Sequence, residues 1–305
     1  MGQEGNEIEA PQSLKFYFQP SLKFFGSTSS FKESKCVMLG VPLDRTSTYR
    51  PGARFAPLFV REASMNVELY SFRLNVDGEK LKFFDCGDLI LIGNLQETLR
   101  RIEEVSRRIV DLGKLPILVG GEHTITCGVV NGLNLEHACI VDFDAHMDLR
   151  DEYMGEKICH ATFMRRIIER VGADKLIEVG VRAACGEEVA YARNKGLKFL
   201  TMLESRRLGL KGAVKRLMDE VSSFNGVYVT VDADVLDPAF APGVGNPESD
   251  GMDPNTLLSL LTEICGERTL GFDLVEVNPN YDNGTTAVLA ARILSEVLCA
   301  LNKEC

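Results

Sequence analysis

From about residue 36 onward, this 305-residue chain alternates short apolar runs with longer amphipathic ones, and that alternation admits few folds. The apolar runs are Cys36–Gly40, Leu81–Asp85, Leu115–Val119, Cys139–Phe143, Leu176–Gly180, Lys198–Leu200, Val227–Val231 and Leu270–Val277. Several are apolar at successive positions, such as Ile140-Val141 and Val227-Tyr228-Val229, as expected of parallel strands covered on both faces. Between them, Leu95, Leu99, Ile102, Val105, Ile109 and Leu112 recur at three- and four-residue steps and predict a helix over 95–112. Residues 211–221, 255–265 and 284–301 read as helices too, and Asp253-Pro254 gives the second of these a cap and a first-turn proline. The alternation predicts an α/β fold of three layers: a doubly wound, mostly parallel eight-stranded sheet with helices on both faces. No Gly/Ser-rich linker divides the chain, so residues 36–305 are expected to form a single domain and residues 1–35 a peripheral arm.

Composition narrows the function. Hydrophobic residues make up 45% of the chain, enough for a full core. A net charge of −10 and a pI near 5.1 argue against a nucleic-acid partner, which calls for a basic surface. The nine cysteines are odd in number, irregularly spaced and without a CxxC pair, so they read as small apolar fillers in a reducing, cytoplasmic setting. The polar, acidic N-terminus does not read as a signal peptide. The long apolar stretch 286–301 is broken by Arg292 and Glu296, so no membrane span is expected.

Chemistry concentrates where strands should end. Gly120-Gly121-Glu122-His123 follows the run ending at Val119. Asp142-Phe143-Asp144-Ala145-His146-Met147-Asp148 overlaps and follows Cys139–Phe143, Asp232-Ala233-Asp234 follows Val227–Val231, and Glu276 ends the last run. In an open parallel sheet the carboxyl ends of strands are where ligands bind. Alternate residues of an extended segment share a face, so Asp144, His146 and Asp148 can point into one site. Several carboxylates and two of the chain's four histidines, all beside apolar runs, are costly to desolvate unless positive charge neutralises them. A pair of divalent cations would do so, and these ligand types suit Mn²⁺ while admitting Co²⁺, Fe²⁺ or Zn²⁺. His137 precedes its strand, at the opposite end, and reads as structural.

These motifs resemble those of the ureohydrolase family, the arginases and agmatinases. The resemblance extends to Gly40-Val41-Pro42-Leu43-Asp44, to Ser47-Thr48-Tyr49-Arg50-Pro51-Gly52-Ala53-Arg54-Phe55-Ala56-Pro57 and to Glu276-Val277-Asn278-Pro279, and covers nearly the whole chain after residue 36. It departs at Ala233, where the family usually has a larger aliphatic residue. The resemblance implies an arginase-like fold and two manganese ions per chain. One would be held by His123, Asp144, Asp148 and Asp232, and the other by Asp144, His146, Asp232 and Asp234. It implies His160 as a proton shuttle, Asp148 as a proton carrier and Glu276 as the partner of a guanidinium. It also implies a homo-oligomer, trimeric or hexameric.

The positions where arginases read an amino-acid head group hold Arg150, Ala183, Ala184 and Cys185 here. The loop Asp151-Glu152-Tyr153-Met154-Gly155-Glu156-Lys157 is acidic and suits a second cation on the substrate. Agmatine, cleaved to putrescine and urea, is therefore the expected substrate, with aminopropylagmatine, guanidinobutyrate or arginine as alternatives. A zinc deacetylase would be expected to show a paired-histidine base, and no His-His pair is present. A non-catalytic relative would be expected to have lost ligands, and none is missing.

Overall fold

The structure, a computed structural model, describes residues 10–302. Its strands are β1 (Phe18–Gln19), β2 (Cys36–Val41), β3 (Tyr70–Ser71), β4 (Val76–Asp77), β5 (Phe83–Leu89), β6 (Leu115–Gly120), β7 (Ala138–Phe143), β8 (Leu176–Val181), β9 (Lys198–Thr201), β10 (Gly226–Asp232) and β11 (Thr269–Val275). Its α-helices are α1 (Gln12–Lys15), α2 (Ala56–Ser64), α3 (Leu95–Asp111), α4 (Ile125–Gly132), α5 (Phe163–Val171), α6 (Gly186–Lys195), α7 (Met202–Val221), α8 (Pro254–Ile264) and α9 (Thr285–Asn302).

The main sheet runs β1-β5-β2-β6-β11-β10-β7-β8-β9, and β3 and β4 form a separate small hairpin. All eight strands expected from the sequence are present and mutually parallel. The sheet nonetheless has nine strands rather than eight. The extra one, β1, lies within residues 1–35 and pairs antiparallel with β5 at the sheet edge. At two residues it is too short to display any period.

Register explains the two hydrophobic layers. Met38, Ile117, Phe272, Val229, Val141 and Ile177 lie side by side across six strands and face the layer containing α2, α7, α8 and α9. One residue further along each strand, the opposite face carries Leu39, Leu118, Asp273, Thr230, Asp142 and Glu178. That row starts apolar, against the core formed with α3, α4 and α5, and turns polar toward β8. Along α3, Leu99, Ile102, Val105 and Ile109 are buried, each worth about 1.5–3 kcal/mol in transfer terms. The Asn94 side chain caps its start by accepting from the amide of Glu97 at 2.9 Å. Asp253 caps α8 in the same way, accepting from Thr256 at 3.0 Å, with Pro254 in the first turn. Helix α7 begins nine residues before the predicted 211, and its backbone breaks from helical geometry at Gly209 (φ +66°).

Candidate metal centre

Strands β6, β11, β10 and β7 are consecutive neighbours in the sheet, so the four chemistry-bearing segments emerge side by side from one edge. The first is set by close backbone approach. A Cβ on Gly121 would lie 1.7 Å from the carbonyl oxygen of Leu43, so only glycine lets the chain turn there. The amides of Gly121 and Glu122 donate to the carbonyls of Val41 and Leu43, each at 2.8 Å. His123 is thereby aimed into the site and is fully buried.

The hydrogen bonds of His123 fix its protonation. The Thr230 hydroxyl donates its one proton to Asp273 Oδ1 and lies 2.9 Å from His123 Nε2. Nε2 must therefore carry the hydrogen, which leaves the Nδ1 lone pair free to bind a cation. Nδ1 lies 3.1 Å from Asp144 Oδ2 and 3.3 Å from Asp232 Oδ2. Nδ1 and Asp144 Oδ2 are both buried without a hydrogen-bond partner. Three lone-pair atoms facing each other at these distances repel unless a positive charge sits between them.

The second cluster joins the first through Asp144. His146 Nδ1 is 3.4 Å from Asp144 Oδ1 and 3.0 Å from Asp234 Oδ2. Two groups that could each hold an ion, His123 with Asp142 and Asp144, and His146 with Asp144 and Asp234, thus share Asp144, which turns one oxygen to each histidine. Bonds of ~2.1 Å at right angles would place neighbouring ligand atoms ~3.0 Å apart, close to the separations at both histidines. Asp232 turns its other oxygen to the amide of Asp234 at 2.8 Å, and Asp144 Oδ1 accepts from the amide of His146 at 2.5 Å. The pull for positive charge shows in the titration of both rings. Burial opposes charge on His123, but Asp144 and Asp232 outweigh it and hold its pKa well above the usual value. Asp234 and Asp144 do the same for His146.

Asp148 and Glu276 lie outside these two groups. Both line the same cavity of about 580 Å³ as the two histidines. Burial first, then the charge of Asp144, pushes the Asp148 carboxyl well up. The run expected to end at Val277 ends as a strand at Val275. Glu276 then adopts a left-handed backbone (φ +61°), and its amide donates to the carbonyl of Gly121 at 2.9 Å. Burial pushes its carboxyl up to about 8, and a guanidinium placed beside it would favour the charged form again.

His160 arrives from a separate loop. Its amide donates to Thr46 Oγ1 at 3.1 Å, and its ring nitrogens lie 3.4 Å from Thr46 Oγ1 and 3.3 Å from Thr48 Oγ1. Burial, then the charge of His146, lowers its pKa to about 4, so the ring is neutral at ordinary pH. His137 stands apart, its side chain 73% exposed beside Glu136.

One expectation about the pocket is not met. Of the acidic loop, Tyr153 lines the cavity but Asp151, Glu152 and Glu156 do not, and Asp151 bonds to Arg166 at 2.9 Å and Lys157 at 3.0 Å, which lower its carboxyl to about 2. Ala183, Ala184 and Cys185 do line the cavity, together with Arg150.

The sequence reading also missed residues. Asp142, on the Nε2 edge of His123 at 3.7 Å, and Glu178, paired with it in register, are fully buried with all four carboxylate oxygens lacking a hydrogen-bond partner. Thr48, within the early motif, and Thr46, just before its second stretch, hold His160 and had no role assigned from sequence. Asp142 was in plain view two residues before Asp144, and Thr230 and Asp273 interrupt otherwise apolar strands.

Residues 34–300 match the arginase family. An agmatinase from Bacillus anthracis is 36% identical over 281 residues, spanning 90% of this chain and 94% of its own. A mitochondrial guanidino acid hydrolase from Homo sapiens is 36% identical over 277 residues, spanning 88% and 78%. The crystal structure of the agmatine ureohydrolase of Thermoplasma volcanium superposes with a TM-score of 0.85 at 32% identity, covering 95% of this chain and 97% of that one. With its motifs gathered at the ends of four adjacent strands, the chain belongs to the arginase family and is a ureohydrolase most similar to agmatinases.

Proposed function

We propose that this protein hydrolyses agmatine to putrescine and urea, using two Mn²⁺ ions. His123, Asp144, Asp148 and Asp232 would hold one ion, and Asp144, His146, Asp232 and Asp234 the other. The arrangement that supports a pair is Asp144, which turns one oxygen to each histidine. When bound, the ions supply a water that is nucleophilic at neutral pH.

The protein's own groups do the rest. Glu276 binds and orients the planar guanidinium through charge-assisted hydrogen bonds. Asp148 carries the proton to the leaving nitrogen. His160, neutral and steadied by Thr46 and Thr48, exchanges protons between the cavity and solvent.

The observation that carries the substrate is the cavity wall of Ala183, Ala184 and Cys185, which offers no charged partner to an amino-acid head group. A guanidino acid is the second reading, favoured by the human relative and by Arg150 in the cavity. Arg150 Nη2 lies 3.8 Å from Glu188 Oε2, so its charge is already opposed. Urea release should be compared across agmatine, aminopropylagmatine, guanidinobutyrate and arginine at equal concentration with Mn²⁺ present. Agmatine should lead arginine by about a hundredfold, roughly 3 kcal/mol, and equal turnover of the two would end this substrate reading.

We also propose a cytoplasmic homo-oligomer, trimeric or hexameric. Phe55, Leu58, Phe59 and Met65, exposed on and beside α2, give it an apolar surface to bury. Light scattering on the purified protein checks the assembly.

A further inference from the structure

We propose that Glu248 recognises the distal cation of the substrate, a protonated amine four carbons from the guanidinium. This rests on the agmatinase reading above and names a residue for it.

Among the described residues, six carboxylates line the cavity: Asp148, Glu188, Asp232, Asp234, Glu248 and Glu276. Five have other work. Asp234 is in a candidate ion group, and the proposed function gives Asp148 and Asp232 to the ions and Glu276 to the guanidinium. Glu188 is buried, with one oxygen accepting from the amide of Leu149 at 3.1 Å and the other from that of Cys185 at 2.8 Å, so it caps α6. Glu248 remains. Its side chain is 45% exposed, and its nearest charged neighbour is His146, with Oε1 3.9 Å from Nε2.

Its backbone is held while its carboxylate stays available. Arg182 reaches across from the end of β8 and donates to the carbonyls of Glu248 at 2.8 Å, Ser249 at 3.0 Å and Asp234 at 2.7 Å. The side chain therefore lines the cavity from a fixed backbone.

The loop that carries Glu248 passes near the guanidinium partner, Glu276. Gly245 packs against the guanidinium partner: a Cβ there would lie 3.1 Å from Glu276 Oε2. Glu248 is three residues further along the same loop, and three residue steps span at most ~11 Å. Tyr49, Ala183 and Ala184 line the same cavity and offer apolar surface to methylenes. Glu248 then meets the primary ammonium of agmatine or the secondary ammonium of aminopropylagmatine. It repels the carboxylate of guanidinobutyrate.

The test compares agmatine with pentylguanidine, in which a methyl group replaces the ammonium. In manganese-loaded protein, the KM for agmatine and the Ki of pentylguanidine against agmatine are measured for the parent and Glu248→Gln. The ratio of Ki to KM is expected to fall about tenfold, and guanidinobutyrate to gain relative to agmatine. Metal content, by elemental analysis, should be the same in both proteins. An unchanged ratio overturns the proposal. So does a loss of metal in which both ligands weaken together, because Glu248 would then be holding His146. A parent protein that releases no urea from agmatine overturns the agmatinase reading and this one with it. An active parent with an unchanged ratio overturns only the role of Glu248.

Discussion

The main-chain amide of His123 donates to Glu276 Oε1 at 2.8 Å, so a histidine of a candidate ion group is fastened to the residue proposed to receive the guanidinium. The bond joins the ends of β6 and β11, which are hydrogen-bonded neighbours. It also occupies one Glu276 oxygen and steadies a left-handed non-glycine backbone.

Glu276→Gln keeps a carbonyl oxygen that can accept from His123 but removes the charge opposite the guanidinium. It should lower kcat/KM for agmatine by about a hundredfold, near 3 kcal/mol, while manganese content is retained. Elemental analysis beside steady-state kinetics checks this, and loss of metal would show that Glu276 holds the cluster together instead.

Manganese loading should approach two ions per chain. Asp144→Asn should lower that number and remove most activity, because Asp144 alone turns an oxygen to each histidine. Full activity with one stably bound ion would sink the binuclear reading.

His160→Asn should reduce turnover and leave metal content intact. The imidazole contacts Thr46 and Thr48, and its assigned work is proton exchange. Small exogenous imidazoles should restore part of the rate. Loss of manganese on this change would move His160 into the ligand set.

Glu178→Gln should stabilise the protein, and more so at higher pH. Burial raises the Glu178 carboxyl well above its ordinary 4.5, and the charges of Asp142, Asp144 and Glu188 raise it further. A raised folded pKa means the contribution to stability is full below pH 4.5 and is lost as pH rises toward the folded value. Glutamine abolishes that loss. The melting temperature of the variant relative to the parent should rise by about 2 °C or more between pH 5 and pH 8. A difference flat in pH would show that Glu178 is ionised in the folded protein.

What the sequence showed and what it hid divide along physical lines. Most of the eight parallel strands were legible because they are buried on both faces and so apolar at successive positions, as β2, β7 and β10 are. Asp144, His146 and Asp232 were legible because they follow such runs directly. Strand β1 was hidden, since pairing at an edge demands no pattern from two residues. Asp142, Thr230 and Asp273 were visible but drew no role, because a polar residue inside a strand looks like noise until register lines it up with its neighbours. The loop at Asp151 misled, because local composition does not say which charges are already paired.

The strand order carries a consequence for synthesis. Strands β6 and β7 follow one another in the chain, yet β10 and β11, the last two made, lie between them. A nascent chain that stops before residue 226 has His123 and Asp144 but lacks the two strands that set them at bonding distance. Tight manganese capture on the ribosome is therefore expected only after the final quarter of the polypeptide has emerged and inserted, a long-range closure that is slow by nature.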